Sequence, residues 1–600
     1  MTLSPHHSAS VRNRRAGLFV LGLVGLVAAV GMMLGNAVLG SAQAATGGLA
    51  DLPATPAIVS CASLAGVDLS GATGAATTIA AKEIASPKGP FCRVTGTIAP
   101  AIGFEVDLPI NTWTQRYLQT GCGGLCGNLN VGVEHGASCL PAANAGLVLA
   151  SDDMGHQGNE ADFGADPQKR IDFAYRGNHV TALAAKALIK AFYGRAPRYS
   201  YFSGCSDGGR EALVEAERYP QDFDGIAAGA PALNFQVQNS FYHAWQADSN
   251  TGPDGKGILI ASRLPILHRA VVAACDGLDG LKDGLISDPR ACHFDPAAIQ
   301  CADGASDTSN CLTAAEVGAA RKLYAGPRDA AGHRFTIGGP QYGSELAWGG
   351  VYVPMSADAP LFSRGIASGS SQYVIFPEVS AKDGDIPNFA FTQANFERLA
   401  ALHPLYDATD TDLGPFQARG GKLILWHGWA DQHISPINTI AFYDAVKQTL
   451  GESKANSFLR LFLFAGMYHC GGGEGFSQFD VLTPLMTWVE QGGAPDRIIA
   501  AQVAPEPGPG GPAKRPAGEK PAPLPRPDAP AIATRPVFPY PQVARYTGSG
   551  DPKDAANFVS AQGPDLDPSV LQWAGAGFMG PDVLRIYEAK DGKLAVQPKS

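Results

Sequence analysis

The sequence predicts an α/β fold in which a mostly parallel sheet carries helices on both faces and a long insertion interrupts the chain. Three observations carry this. Short β-rich apolar runs alternate with helix-length stretches over residues 45–230. The alternation disappears between about 233 and 413, a region of loops, aromatics and glycines without a clean period. It resumes at Lys422–Trp426. The length of 600 residues would allow three or four domains at roughly 100–200 residues each, but one interrupted α/β domain accounts for the pattern better.

Composition sets limits on function. Hydrophobic residues are 45% and charged residues 17%, so the chain has material for a large core and is no disordered polyelectrolyte. There are 72 glycines and 45 prolines, which predicts many turns. The formal net charge of −10 leaves no basic excess to bind a phosphate backbone, so nucleic acid is not an expected partner.

Residues 1–44 read as a secretory signal peptide. Arg12, Arg14 and Arg15 precede an apolar run from Ala16 to about Leu34, and Ala42-Gln43-Ala44 offers a small-x-small cleavage site. A retained anchor is the alternative, since the run is long enough to span a bilayer. No later segment has 18 unbroken apolar residues, so no membrane association is expected after cleavage. Cleavage removes three arginines and no acids, leaving 42 basic and 55 acidic residues and a net charge of −13. The expected location is secreted or periplasmic. In an oxidising compartment most of the 11 cysteines should pair, with at least one left over. None has zinc-site spacing.

The first part of the core spans 45–232. Arg116–Gln119 and Gly146–Ser151 read as buried strands, His179–Tyr193 as a helix, Tyr199–Ser203 as a strand and Gly209–Arg218 as a helix. The insertion spans 233–413. The second part of the core spans 414–600, with strands at Lys422–Trp426 and Ser457–Phe464 around a helix at Pro436–Leu450. Within it, 10 of the 26 residues from Pro505 to Pro530 are proline, which predicts an extended, solvated segment.

Gly204-Cys205-Ser206-Asp207-Gly208 fits G-x-S-x-G between a strand and a helix, the context in which that pattern marks a nucleophile. Small residues are needed because the turn is tight, and Ser206 is left exposed at the sheet's carboxyl edge. A serine hydroxyl is a weak nucleophile at neutral pH. It needs an imidazole to take its proton and a carboxylate to fix the imidazole tautomer. α/β hydrolases present these in the chain order Ser, acid, His. Asp431 follows the strand KLILW and His469 follows SFLRLFLF, each just beyond a strand end. His427 and His433 compete with His469, although His427 shares a loop with the acid and is poorly placed to be the base. An oxyanion hole would use the N–H of Asp207 and one from the turn Gly121–Gly127.

Asp276, Asp279 and Asp283 crowd three carboxylates into eight residues of a Gly-rich loop. Hard oxygen donors of this kind suit Ca²⁺, but the spacing is not that of an EF-hand.

With Gly-Cys-Ser-Asp-Gly-Gly-Arg, Asp431 and His469-Cys470 in view, the chain resembles the tannase and feruloyl esterase family, including its members that act on terephthalate monoesters. FYGRAPRYSYFSGCSDGGRE, FDGIAAGAPALNF, GGKLILWHGWAD, FAGMYHCGGG and RPVFPYPQVARY carry the likeness. The resemblance implies an α/β-hydrolase fold with the insertion as a lid, and a secreted serine esterase acting on aromatic (phenolic) acid esters. It implies Gly124 as the second oxyanion donor and a bond between Cys205 and Cys470. It also implies a structural Ca²⁺ held by Asp276, Asp279, the Leu281 carbonyl, Asp283 and the Leu285 carbonyl. The other expected disulfides are Cys61–Cys92, Cys275–Cys292 and Cys301–Cys311. Cys126–Cys139 is expected to leave Cys122 free, because a bond inside the oxyanion turn would constrain its backbone. The lid positions that set specificity do not match the terephthalate enzymes cleanly. Two alternatives follow: hydrolysis of terephthalate-type or other xenobiotic aromatic monoesters, and a silent hydrolase fold used for binding. The complete Ser206, Asp431, His469 set argues against the second.

Overall fold

The computed structural model describes residues 48–136, 138–503 and 530–597. The signal peptide and nearly all of the proline-rich segment lie outside the described residues.

The central element is a nine-stranded sheet. Its strands are β1 (Thr77–Ile84), β2 (Phe91–Ile98), β3 (Ile102–Pro109), β4 (Arg116–Thr120), β5 (Leu147–Asp152), β6 (Tyr199–Cys205), β7 (Gly225–Gly229), β8 (Lys422–Gly428) and β9 (Leu459–Phe464). The order is β1-β2-β3-β5-β4-β6-β7-β8-β9. From β5 onward every neighbour is parallel, whereas β1, β2 and β3 form an antiparallel meander that joins through β5. The parallel strands are buried on both faces, as continuous apolar runs such as Leu423–Trp426 require. β1 alternates between half-buried and exposed residues, as an outer strand with one wet face does.

Helices cover the sheet. Helix α1 (Gly177–Tyr193) buries Ala182, Ala185, Leu188, Ile189 and Phe192, a 3.6-residue stripe, and stops at Gly194 with φ 73°. Helix α2 (Asp207–Arg218) follows β6 directly. Between β7 and β8 the insertion is more helical than its sequence suggests, with α3 (Leu264–Cys275), α4 (Ala314–Ala325) and α5 (Phe362–Tyr373). Helix α3 buries Leu264, Leu267, Val271 and Cys275 at helical spacing, and local devices support α4 and the loops before it. Thr313 and Glu316 form a capping box on α4, and disulfides Cys275–Cys292 and Cys301–Cys311 close the loops between α3 and α4. Helix α6 (Pro436–Leu450) lies between β8 and β9, and α7 (Leu482–Gln491) follows β9. The insertion is not a separate body; it belongs to one unit with the sheet, spanning Ala44–Ser600. Among the described residues, no helix is long and apolar enough to cross a membrane.

Candidate active site

Ser206 stands where β6 turns into α2, with φ 66° and ψ −122°. This backbone is unfavourable for a residue with a side chain, and hydrogen bonds hold it on both sides. Ser206 N–H donates to the Gly229 carbonyl at 3.0 Å, and Ala232 N–H donates to the Ser206 carbonyl at 3.0 Å. The small neighbours are obligatory. A Cβ on Gly204 would lie 2.4 Å from the Gly208 carbonyl oxygen, and one on Gly208 would lie 3.0 Å from the Cys122 nitrogen.

The expected partners converge on this serine. His469 Nε2 lies 2.9 Å from Ser206 Oγ, and His469 Nδ1 lies 2.7 Å from Asp431 Oδ2. Facing a carboxylate, Nδ1 carries the proton, so Nε2 is the acceptor for the serine hydroxyl. Asp431 is fully buried at the end of β8. Its Oδ1 accepts N–H bonds from His433 at 2.7 Å and Ile434 at 2.9 Å. Burial alone would raise its pKa. The adjacent His469, together with hydrogen bonds from His427 and His469, instead holds it far below the usual carboxylate range.

The competing histidines have other places. His427 Nε2 lies 3.1 Å from both Asp431 Oδ2 and the Ile434 carbonyl, while Nδ1 meets Thr439 Oγ1 at 2.8 Å. With only acceptors around Nε2, that nitrogen carries a proton and donates to the acid. His427 is thus a second donor to Asp431, a contact the sequence reading missed; its signal is a histidine four residues before the acid at a strand end. The His433 ring stands edge-on to His469 at 4.8 Å between centroids. Burial, followed by the nearby His469 and His243, keeps His433 neutral to well below the usual imidazole range.

The turn Gly121–Gly127 approaches the nucleophile, and a Cβ on Gly123 would lie 3.8 Å from Ser206 Cβ. Gly124 has φ 73°, a conformation that favours glycine. Among the described residues, the backbones of Gly123 and Gly124 make no hydrogen bond. Asp207 is the first residue of α2, where N–H groups lack an intrahelical acceptor. Its side chain is turned away to pair with the buried Arg210 at 2.6 Å. Arg210 lies over the Phe173 and Phe235 rings at 4.9 and 5.2 Å.

A family model described as tannase and feruloyl esterase matches residues 86–561. The chain belongs to that family. An uncharacterized esterase of Xanthomonas campestris is 34% identical over 574 residues, covering 86% of this chain and 93% of the relative. A mono(2-hydroxyethyl) terephthalate hydrolase of Piscinibacter sakaiensis is 33% identical over 540 residues, covering 79% and 85%. The crystal structure of feruloyl esterase B from Aspergillus oryzae aligns with a TM-score of 0.66 at 28% identity, covering 81% of this chain and 96% of that one. The protein is a carboxylic ester hydrolase with the α/β fold of this family.

In this esterase four of the five expected disulfides are formed: Cys61–Cys92, Cys205–Cys470, Cys275–Cys292 and Cys301–Cys311. The fifth, Cys126–Cys139, is not. Cys122 pairs with Cys126, and Cys139 is the buried free thiol. The reason is local. The glycine turn folds back until the Cα atoms of Cys122 and Cys126 are 5.8 Å apart. Cys139 instead faces α7, its Sγ 3.8 Å from Met486 Sδ, where burial pushes the thiol pKa up to about 11. The spacing of four around two glycines was the available sequence signal.

The family-implied Ca²⁺ loop can be tested against its donors. Asp276 Oδ1 accepts from the N–H groups of Asp283 and Gly284, both at 3.1 Å. Asp279 Oδ1 accepts from Leu281 N–H at 2.8 Å and Oδ2 from Ser287 Oγ at 2.5 Å. Asp283 Oδ2 pairs with Arg535 at 2.6 Å. Among the described residues, no hydrogen bond is donated to the Leu281 or Leu285 carbonyls. The all-oxygen chemistry of the set suits a hard cation, although the carboxylates are engaged by N–H and O–H donors and by Arg535. The three aspartates do not bring their oxygens mutually within 4.8 Å; among the described residues His179, Glu215 and Asp222 do, with one candidate atom from each. There Lys186, 3.7 Å from Asp222 Oδ1, already supplies positive charge.

Proposed function

We propose that this esterase is exported and cleaves esters of aromatic, phenolic acids through an acyl-enzyme on Ser206. The observation that supports it most is the relay of 2.9 and 2.7 Å running from Ser206 through His469 to Asp431. His469 Nε2 takes the hydroxyl proton as Ser206 Oγ attacks the ester carbonyl. The same nitrogen then gives the proton to the leaving alcohol. The N–H groups of Gly124 and Asp207 receive the developing oxyanion. Water, deprotonated by His469, releases the acid and restores Ser206. Asp431 stays ionised throughout and stabilises the imidazolium. The insertion, residues 233–413, acts as the lid that selects the acyl group.

Asp276, Asp279 and Asp283 with the Leu281 and Leu285 carbonyls would hold Ca²⁺ as a structural ion, neutralising a turn that otherwise gathers three negative charges. Export is supported by the arginines and apolar run before Ala44 and by the five disulfides. The relatives' names favour feruloyl and tannin-type esters, and the Piscinibacter relative motivates the terephthalate monoester as second substrate class. The test is turnover of methyl ferulate, methyl gallate and mono(2-hydroxyethyl) terephthalate by the purified protein. Hydrolysis of a phenolic ester, abolished in Ser206→Ala, is expected. Activity confined to the terephthalate monoester would replace the phenolic assignment, and activity retained in Ser206→Ala would remove the mechanism.

A further inference from the structure

The turn that approaches Ser206 is anchored at its ends and unsupported at its middle. Gly121 N–H donates to the Ser203 carbonyl at 3.0 Å, and Cys122 N–H meets Glu211 Oε2 at 3.3 Å. Beyond the glycines, the Leu125 carbonyl accepts from His156 Nε2 at 2.8 Å, and the Gly127 carbonyl accepts from Gly158 N–H at 3.0 Å. Gly123 and Gly124 lie between these anchors without a backbone hydrogen bond among the described residues. Two adjacent glycines have the widest conformational freedom of any dipeptide. The Cys122–Cys126 disulfide spans exactly this gap.

We propose that the Cys122–Cys126 disulfide is a positioning element for the oxyanion hole, with Glu211 as its second anchor. This rests on the role assigned above to Gly124 N–H. Of the five disulfides, this one closes the shortest loop, a separation of 4 residues against 10, 17, 31 and 265. Short loops constrain the unfolded chain least, so its contribution to global stability is the smallest of the set. Its effect is local instead: it limits the excursions of the two glycines beside Ser206. Glu211 is 1% exposed and also accepts from Asn178 Nδ2 at 3.0 Å. It sits on the same helix as Ser206's neighbour Asp207, so it ties the turn to the elbow itself. A hydrogen-bond donor aimed at a developing oxyanion acts in the transition state far more than in substrate binding. Loosening this turn therefore lowers kcat and leaves KM nearly unchanged.

The experiment compares Cys122→Ser/Cys126→Ser, Glu211→Gln, Glu211→Leu and Gly124→Val with the wild type. It measures kcat, KM, affinity for an arylboronic acid that forms a tetrahedral adduct on Ser206, and melting temperature. The double serine variant is expected to lose at least tenfold in kcat and in boronate affinity, with KM within threefold and the melting temperature within a few degrees. Glu211→Gln keeps an acceptor for Cys122 N–H and should retain most activity, whereas Glu211→Leu should not. If Gly124→Val loses activity while the double serine variant does not, the disulfide proposal fails and the oxyanion assignment stands. If Gly124→Val is fully active, both fail. A large drop in melting temperature in the double serine variant would make the bond a general staple and overturn the proposal.

Discussion

Cys205 and Cys470 are bonded across 265 residues of chain, and each is the immediate neighbour of a relay residue, Ser206 and His469. The nucleophile and the base, carried on different strands, are therefore fixed to each other by a covalent path of a few bonds. Cys470 has φ 59°, and its carbonyl accepts from His135 Nε2 at 2.8 Å. His135 is in turn stacked on Phe479, with ring centroids 4.2 Å apart.

Breaking this bond should affect stability and chemistry together. Closing so long a loop is worth roughly 2–5 kcal/mol in the usual range for native disulfides. Cys205→Ala/Cys470→Ala is expected to melt well below the wild type and, at temperatures where it is folded, to show a reduced kcat. Thermal unfolding with parallel ester kinetics checks both.

The relay makes a second prediction. Ser206→Ala and His469→Ala should each lower turnover by roughly 10³-fold or more, and combining them should cost little beyond either alone, because the pair acts as a unit. Multiplying losses in the double variant would contradict the 2.9 Å contact between these side chains.

His427 offers a finer test. It donates to the same Asp431 oxygen as His469 and is held from behind by Thr439. His427→Gln should lower kcat by about tenfold, an effect the size of a lost hydrogen bond to a charged group.

Neutral buried histidines should contribute an acid-sensitive part of the stability. Burial, then the nearby His469, lowers the pKa of His243 to about 3, and burial lowers that of His135 to about 4. An unfolded histidine titrates near 6.5. Between those limits the unfolded chain binds protons that the folded chain refuses, so this stability is complete above about pH 6.5 and declines as the pH falls. Each such group contributes a slope of about 1.4 kcal/mol per pH unit. From pH 7 to pH 5 the melting temperature of the wild type should drop relative to that of His243→Gln, which lacks this group.

Calcium removal should lower stability without stopping chemistry directly. Chelation is expected to reduce the melting temperature while activity, assayed below both transitions, persists. Immediate loss of turnover at an unchanged melting temperature would place the ion at the reaction centre instead.

Much of the scaffold was legible because the strongest signals were local. The helix Pro436–Leu450 begins at a proline and ends before Gly451, and its bounds follow from those two residues. The relay residues could be named because each sits just past an apolar run that can only be a buried strand. What was not legible depended on three-dimensional approach. The meander of β1 to β3 was not read although β3 (IGFEVDLP) alternates apolar and polar residues, because no turn signature sets its register against β5. The partner of Cys126 depended on a left-handed glycine folding the turn back, and His427's contact with Asp431 on the path of the loop after β8. In the insertion the capping box specifies α4, whose apolar stripe is weak, whereas α3 buries Leu264, Leu267, Val271 and Cys275 at helical spacing, a period that was there to be read.

β7 and β8 lie side by side, with Gly229 paired to Trp426, although nearly two hundred residues separate them in the chain. A dozen residues would suffice for a crossover between parallel neighbours. Ser206, Asp431, His469 and Gly124 all lie outside that excursion. The strand register and the relay residues are thus encoded outside 233–413, and the insertion meets their neighbours His433 and Arg210 through contacts of Gln238, His243 and Tyr406. Exchanging this segment between family members, with those contacts carried along, would trace how ester preference depends on it.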